Sequence, residues 1–339
     1  MTNTALGLPM NSKTWAKAWI GLFAIQPMVY IFVILLALFA AYVYKFRKET
    51  IFACQAALYS SDRYIASCNG TRYADYEHGA FAFNLEPKAE NFAGDADVLF
   101  LGNSRVQYAF STSATADWFS AASARYYLLG FTYFENMVFA EELLRKIRPQ
   151  AKVYVINVDD FFDRTETPPV KTVLHDPTAR TRYETKRLWQ RVHEPLCKKF
   201  AVICRHQFTI FRSRETGAYY AEGTIKLQKI TPVSYDEVIN KNVVDRNTAN
   251  AIDFLSRFTH GRCVILTLVP FAGTKIGDAD AIAMGLGMKL VTPGNLEGLQ
   301  TWDGYHLDQP SAERWSRAFF QAAGPEIRSC VDGHGASRQ

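Results

Sequence analysis

The sequence predicts an α/β protein built on a doubly wound, parallel five-stranded sheet, preceded by one transmembrane helix. Three observations carry this reading. Ile20–Tyr44 runs for 25 residues without a charge. Beyond residue 95, short continuous apolar runs rich in Val, Ile and Tyr recur, the pattern of parallel strands buried on both faces. Amphipathic stretches of helical spacing lie between those runs, and strand–helix alternation is the pattern of a sheet covered by helices on both sides. With 339 residues, 48% of them apolar, the chain can bury one large core.

Residues 1–19 read as a polar N-terminal tail and 20–44 as the transmembrane anchor. As a helix, Ile20–Tyr44 is roughly 37 Å long, enough to cross a hydrocarbon core of about 30 Å with some tilt. Trp15, Trp19, Tyr42 and Tyr44 sit near its ends as interfacial anchors do. A cleaved signal peptide would have a shorter apolar region and a small-x-small cleavage site after it, so the uncleaved anchor is preferred. Basic residues flank the segment almost evenly, and the cysteines orient it instead. All six (Cys54, Cys68, Cys197, Cys204, Cys263 and Cys330) follow the anchor, which points to disulfides in an oxidising compartment. Fifteen pairings are possible. Pairing the shortest loops gives Cys54–Cys68 and Cys197–Cys204 and leaves Cys263 with Cys330. No CxxC or Cys/His ligand spacing suggests a metal.

The formal charge is +5, from 38 basic and 33 acidic residues. Residues 1–49 account for +4 of it and the remaining 290 residues for only +1. That nearly neutral body, without a basic helix or an aromatic RNA-binding signature, argues against a nucleic-acid-binding protein. Within it, Val170–Ile230 carries 13 bases and five acids.

Residues 45–94 show no strong period and read as a linker and accessory region. Five apolar runs follow: Val98–Gly102, Ala124–Phe131, Lys152–Val158, Cys263–Pro270 and a weaker Met288–Pro293. Helices are expected at Glu135–Arg148, Tyr235–His260 and Pro310–Ala323. The first ends in basic residues, favourable at the negative end of a helix, and the second is closed by Gly261. About 161–231 is too long for an ordinary connection. Its charge and its aromatic residues (Trp189, Tyr183, Phe211, Tyr219 and Tyr220) read as an inserted cap beside the active edge of the sheet. The domain spans 95–330, and 331–339 is a C-terminal tail.

Two motifs could carry chemistry. In DVLFLGNSRV, a buried strand runs into Gly102-Asn103-Ser104-Arg105, so Ser104 lies on a tight strand-to-helix turn where a nucleophile can be exposed with its own amide beside a developing oxyanion. In TWDGYHLDQP, Asp303 precedes His306 by three residues, just before the final helix. A histidine base needs a partner on its second ring nitrogen, and a D-x-x-H turn supplies one locally. The catalytic candidates are therefore Ser104, His306 and Asp303. Arg105, beside the nucleophile, is a substrate-binding candidate. No GxGxxG or GxxxxGK[ST] follows any strand, which argues against a dehydrogenase or kinase, and no cofactor is expected.

With GNS after the first strand and DGYHLD before the last helix, the chain resembles the SGNH (GDSL-like) hydrolase and acyltransferase superfamily, especially its membrane-anchored branch acting on cell-envelope polymers. The resemblance covers about 97–325 in layout, and its specific parts are the two end blocks. It implies a three-layer fold and a Ser104–His306–Asp303 acyl-enzyme mechanism without a cofactor. Ser104, Gly130 and Asn157 would form the oxyanion hole. The third block departs from the family's G-x-N-D: it reads Asn157-Val158-Asp159-Asp160, placing a carboxylate, Asp159, where a donor is usual. The implied function is O-acylation, acetyl foremost, of an envelope or exported polysaccharide, from the outer side of a bacterial inner membrane. A multi-spanning membrane O-acyltransferase would be the donor partner. A carbohydrate esterase with the same triad and a non-catalytic subunit of a polysaccharide-modifying complex are the competing expectations.

Overall fold

The computed structural model describes residues 27–44, 60, 62–68, 75–199, 209–222, 230–293 and 296–333, with the side chains of 189, 193, 194 and 196–198 also set aside. Helix α1, Pro27–Tyr44, has a mean hydropathy of 2.2 and no buried residue; it is the one described helix long and apolar enough to cross a membrane. It belongs to a unit separate from residues 50–339.

The second unit begins with strand β1 (Tyr64–Cys68) and helices α2 (Tyr76–Ala82) and α3 (Pro87–Gly94). There follow β2 (Val98–Asn103), α4 (Ser104–Phe110), α5 (Ser113–Ala122), β3 (Tyr126–Phe131), α6 (Met137–Ile147) and β4 (Val153–Asn157). The long stretch after β4 holds α7 (Pro168–His175), α8 (Ala179–Lys199), β5 (Thr209–Ser213), β6 (Tyr219–Glu222) and the short β7 (Thr231–Pro232) and β8 (Ser234–Tyr235). The chain then returns through α9 (Lys241–Phe258), β9 (Cys263–Thr267), β10 (Ala272–Thr274), α10 (Ile276–Gly285), β11 (Leu290–Val291), β12 (Gln300–Thr301) and α11 (Gln309–Val331).

All five expected apolar runs form one parallel sheet, in the order β11-β9-β4-β2-β3. The runs are continuous in sequence because both faces are buried. Leu99, Leu101, Leu129, Ile156 and Leu266 point into one core with α3, α6, α9 and α10. Val98, Phe100, Leu128, Val155 and Ile265 point into the other, with α4, α5 and α11. This is the period of two expected of strands, with an apolar residue on each side. β2, the first strand of this sheet in the chain, lies between the second and the third. A reversal of strand order leaves a crevice at the carboxyl ends of the strands, where ligands bind. Ser104 follows β2 directly.

The stretch expected to be a linker and accessory region supplies core side chains: Tyr76, Ala80, Phe81, Ala89 and Ala93 are fully buried. Its strand β1 pairs with β5 in an antiparallel sheet of order β1-β5-β6. That sheet connects to the outer edge of β3 through Arg212, whose guanidinium donates to the carbonyls of Leu128 (2.8 Å) and Gly130 and pairs with Glu77 at 2.9 Å. The backbone N–H of Leu128 donates to Thr216 O at 2.8 Å. An open strand edge is thereby covered, and a buried guanidinium gains the carboxylate without which it would be strongly unfavourable.

Helix α11 runs beyond the expected 310–323, through Gly324 and Pro325. These residues cost a helix interior about 1 and about 3 kcal/mol relative to alanine. Tertiary packing overrides them. A Cβ on Gly324 would lie 2.8 Å from Trp118 Nε1, so glycine is what admits that indole against the helix. Ile327 is fully buried, and Cys330 is disulfide-bonded to Cys263, Cα–Cα 6.1 Å. The pairing of Cys263 with Cys330 is the expected one. Cys54, Cys204 and the side chain of Cys197, on which the other two expected pairs depend, lie outside the described residues.

The Cys263–Cys330 disulfide closes a separation of 67 residues and ties the end of α11 to the start of β9. Replacing both cysteines by alanine is expected to lower the unfolding free energy by about 2–4 kcal/mol. Urea unfolding would show it as a lower midpoint, matched by the wild-type protein under reductant; an unchanged midpoint would contradict this role.

Candidate active site

The site is assembled at the carboxyl edge of the parallel sheet from two turns far apart in sequence. At the first, Asn103 ends β2 and caps α4, its Oδ1 accepting from Arg105 N at 2.9 Å, as N-cap asparagines do. Ser104 is thus the first helical residue. Gly102 lets the turn be tight: a Cβ there would lie 2.5 Å from Val106 Cγ2 and 3.2 Å from Asn157 Cβ. At the second turn, Asp303 Oδ1 accepts from the backbone N–H groups of Tyr305 (2.9 Å) and His306 (2.8 Å). This local Asx geometry fixes the carboxylate beside the imidazole. The Thr301–Leu307 bridge closes the loop, and Asp308 caps α11 through Ser311 N at 2.9 Å.

The two turns meet in a continuous chain. Ser104 Oγ lies 2.7 Å from His306 Nε2, and His306 Nδ1 lies 2.6 Å from Asp303 Oδ2. With Nδ1 protonated, the imidazole donates to Asp303 and accepts from the Ser104 hydroxyl. Burial pushes the Asp303 carboxyl up, but the hydrogen bond and charge of His306, with the two backbone donors, outweigh it and hold the group below its ordinary value. It is therefore ionised at neutral pH. The imidazole is held between aromatic rings: Trp302 stacks on it at 5.3 Å and 17°, and Tyr108 packs against it at 4.7 Å. Tyr108 is one helical turn after Ser104, and Tyr219 of β6 packs behind it at 5.7 Å.

Arg105, the substrate-binding candidate, has an Nε without a hydrogen-bond partner among the described residues. It is buried, and its guanidinium forms an ion pair with buried Asp159. The same guanidinium lies over Phe271 at 3.9 Å, near Phe134 at 5.4 Å and Tyr305 at 5.8 Å. Burial lowers its pKa to about 10, opposed by Asp160, Tyr305 and Asp303, so it stays charged at neutral pH. Asp159 also accepts from Asn103 Nδ2 at 3.4 Å. The carboxylate in the third block is thus neutralised by the residue that follows the candidate nucleophile.

Of the remaining candidates, Gly130 lies within β3, opposite Gly102, and its carbonyl accepts from Gln107 Nε2 at 2.6 Å. Asn157 ends β4, fully buried. Its Oδ1 accepts from Val269 N at 2.8 Å, while its Nδ2 has no hydrogen-bond partner among the described residues. Neither is bonded to Ser104 or His306. Asn103, Tyr108 and Trp302 also bear on the site and are not among the candidates that the two motifs single out. The first is signalled by its N-cap position and Tyr108 by its four-residue spacing from Ser104. The described residues contain no group of three or more His, Cys, Asp or Glu side chains able to hold a metal.

No protein-family model matches the chain, and no curated protein or solved structure matches it.

Asp159→Asn removes the counter-charge of a buried guanidinium and is expected to destabilise the protein by about 3–5 kcal/mol in urea unfolding. Replacing the pair together, as Arg105→Met with Asp159→Leu, is expected to cost less than that single change. A double variant less stable than the single one would contradict the pairing.

Proposed function

We propose that this chain is a membrane-anchored, SGNH-like O-acyltransferase, with a Ser-His-Asp triad that moves an acyl group, acetyl foremost, onto an extracytoplasmic polysaccharide. The observation that carries the reading is the unbroken Ser104–His306–Asp303 chain at the carboxyl edge of the sheet. Serine nucleophiles need a base within hydrogen-bond reach, and the base needs an orienting partner. Two turns 202 residues apart supply all three groups.

In this mechanism Ser104 Oγ attacks the acyl carbonyl as its proton passes to His306 Nε2, and Asp303 stabilises the imidazolium. His306 then protonates the leaving group, giving an acyl-enzyme. A sugar hydroxyl enters, loses its proton to His306, and displaces Ser104 from the acyl carbon as His306 returns a proton to the Ser104 oxygen. The first amides of α4 lack intrahelical acceptors, and that of Ser104 is the oxyanion donor in this reading. Gly130 and the unpartnered Nδ2 of Asn157 are the further candidates. The pairing of Asp159 with Arg105 supports activity, because a neutralised carboxylate repels an oxyanion less than a bare one.

The apolar helix α1 and the Cys263–Cys330 disulfide support an anchored protein with its catalytic unit on the oxidising side of a bacterial inner membrane. Residues 161–231, whose Tyr219 backs the ring beside His306, act as a basic cap for the polymer. The donor in this reading is a multi-spanning membrane acyltransferase.

Product analysis tests the proposal. Full-length protein in detergent, given p-nitrophenyl acetate and pentasaccharide acceptors, is expected to yield acetylated sugar. Ser104→Ala and His306→Ala are each expected to lower that yield by at least 100-fold. Free acetate with no acetyl-sugar at any acceptor concentration would make the protein an esterase; full polymer modification by Ser104→Ala in cells would make it a non-catalytic subunit.

A further inference from the structure

The mouth of the site carries aromatic rings that the triad does not use. Phe134 and Tyr305 are 53% and 48% exposed, although large aromatic side chains usually bury most of their surface. Tyr305 lies between Asp303 and His306 in sequence, so its position is tied to that of the base. Phe134 meets it edge-on at 5.8 Å and 83°, giving a corner of two rings.

The backbone leading into the corner is strained. Tyr133 and Phe134 both have left-handed backbones, φ 65° and 56°, a conformation that bulky residues rarely adopt. The next two residues are tied down: buried Glu135 accepts from Thr167 Oγ1, and Asn136 caps α6 and donates to Thr165 O at 2.7 Å. Beneath the rings, the guanidinium of Arg105 lies against Phe271 and within 6 Å of Phe134 and Tyr305. Strain retained beside a reactive site is a signature of function. Here it presents apolar ring surface to solvent next to the base.

We infer that Phe134 and Tyr305 form a subsite that stacks one pyranose ring of the acceptor polysaccharide. The inference deepens the proposed reaction and rests on it for the direction of transfer. Pyranoses offer an apolar C–H face and a polar rim, which suits an aromatic ring with a polar tip. The Tyr305 hydroxyl makes no hydrogen bond among the described residues and meets the rim. A lipid tail would call for a continuous apolar trough instead of two rings at right angles. A sugar bound here is carried by residues adjoining His306, which must deprotonate the incoming hydroxyl.

The test is direct binding to full-length protein in detergent, without acyl donor, using cellopentaose and a mannuronate pentaose. Calorimetric titration is expected to show binding of at least one pentaose. Kd is expected to rise at least tenfold in Phe134→Leu and in Tyr305→Leu, and to stay within threefold of wild type in Phe134→Tyr and Tyr305→Trp. Should a leucine variant fold poorly, saturation-transfer NMR on wild type decides, with the strongest transfer expected at the C–H protons of one ring face. Absence of binding by both pentaoses, retention of binding in both leucine variants, or transfer spread evenly over the sugar would overturn the subsite. Because no donor is present, loss of Ser104 reactivity leaves this result standing, and absent binding beside a reactive Ser104 removes the subsite alone.

Discussion

The carboxyl edge of this sheet is organised around one buried ion pair, Arg105 with Asp159. The guanidinium comes from α4 and the carboxylate from the turn after β4. The rings around it come from three further loops, through Phe134, Phe271 and Tyr305. A charge in such a place is tolerable only when paired, since desolvating an unpaired ion costs several kcal/mol even after relaxation. The helix, the turn and the three loops therefore hold one mutual arrangement or leave a charge stranded. Ser104 adjoins Arg105, and His306 adjoins Tyr305, so an arrangement that satisfies the cation also brings the nucleophile to its base.

Everything nearer the surface follows from that constraint. The imidazole lies between Trp302 and Tyr108, and Tyr219 supports Tyr108 from the long connection after β4. Arg212 binds that connection to the edge of β3 with Glu77 as its counter-ion. Two buried cations thus set the geometry, one beneath the site and one beside it, each paired with a buried carboxylate. The Asp303 turn is instead locally determined, with both backbone donors to its carboxylate within three residues.

Much of this was legible in the chain because it is written in local patterns. Buried parallel strands show as continuous apolar runs, and all five expected runs form strands of one sheet. Ser104, Asp303 and His306 could be singled out because a strand-to-helix turn and a D-x-x-H turn are local geometries, and the structure places the three within hydrogen-bond distance. What could not be read depends on distance in sequence. Arg105 and Asp159 are 54 residues apart, and nothing local marks them as partners. Arg212 finds Glu77 across 135 residues. Helix α11 continues through Gly324 and Pro325 because Trp118 and the disulfide hold it, against its own propensity. Residues 75–94 carry no clear period, yet they bury Tyr76, Phe81 and Ala93 in the core.

The central claim is that Ser104 is a nucleophile activated by His306. Intact-mass measurement of full-length protein treated with a fluorophosphonate tests it most directly. The account predicts one adduct per chain, located on Ser104 by peptide mapping. It also predicts no adduct in Ser104→Ala, and labelling slowed by at least about 100-fold in His306→Ala, the lower range of general-base catalysis. Folded wild-type protein that takes no adduct, or labelling indifferent to either substitution, would contradict it.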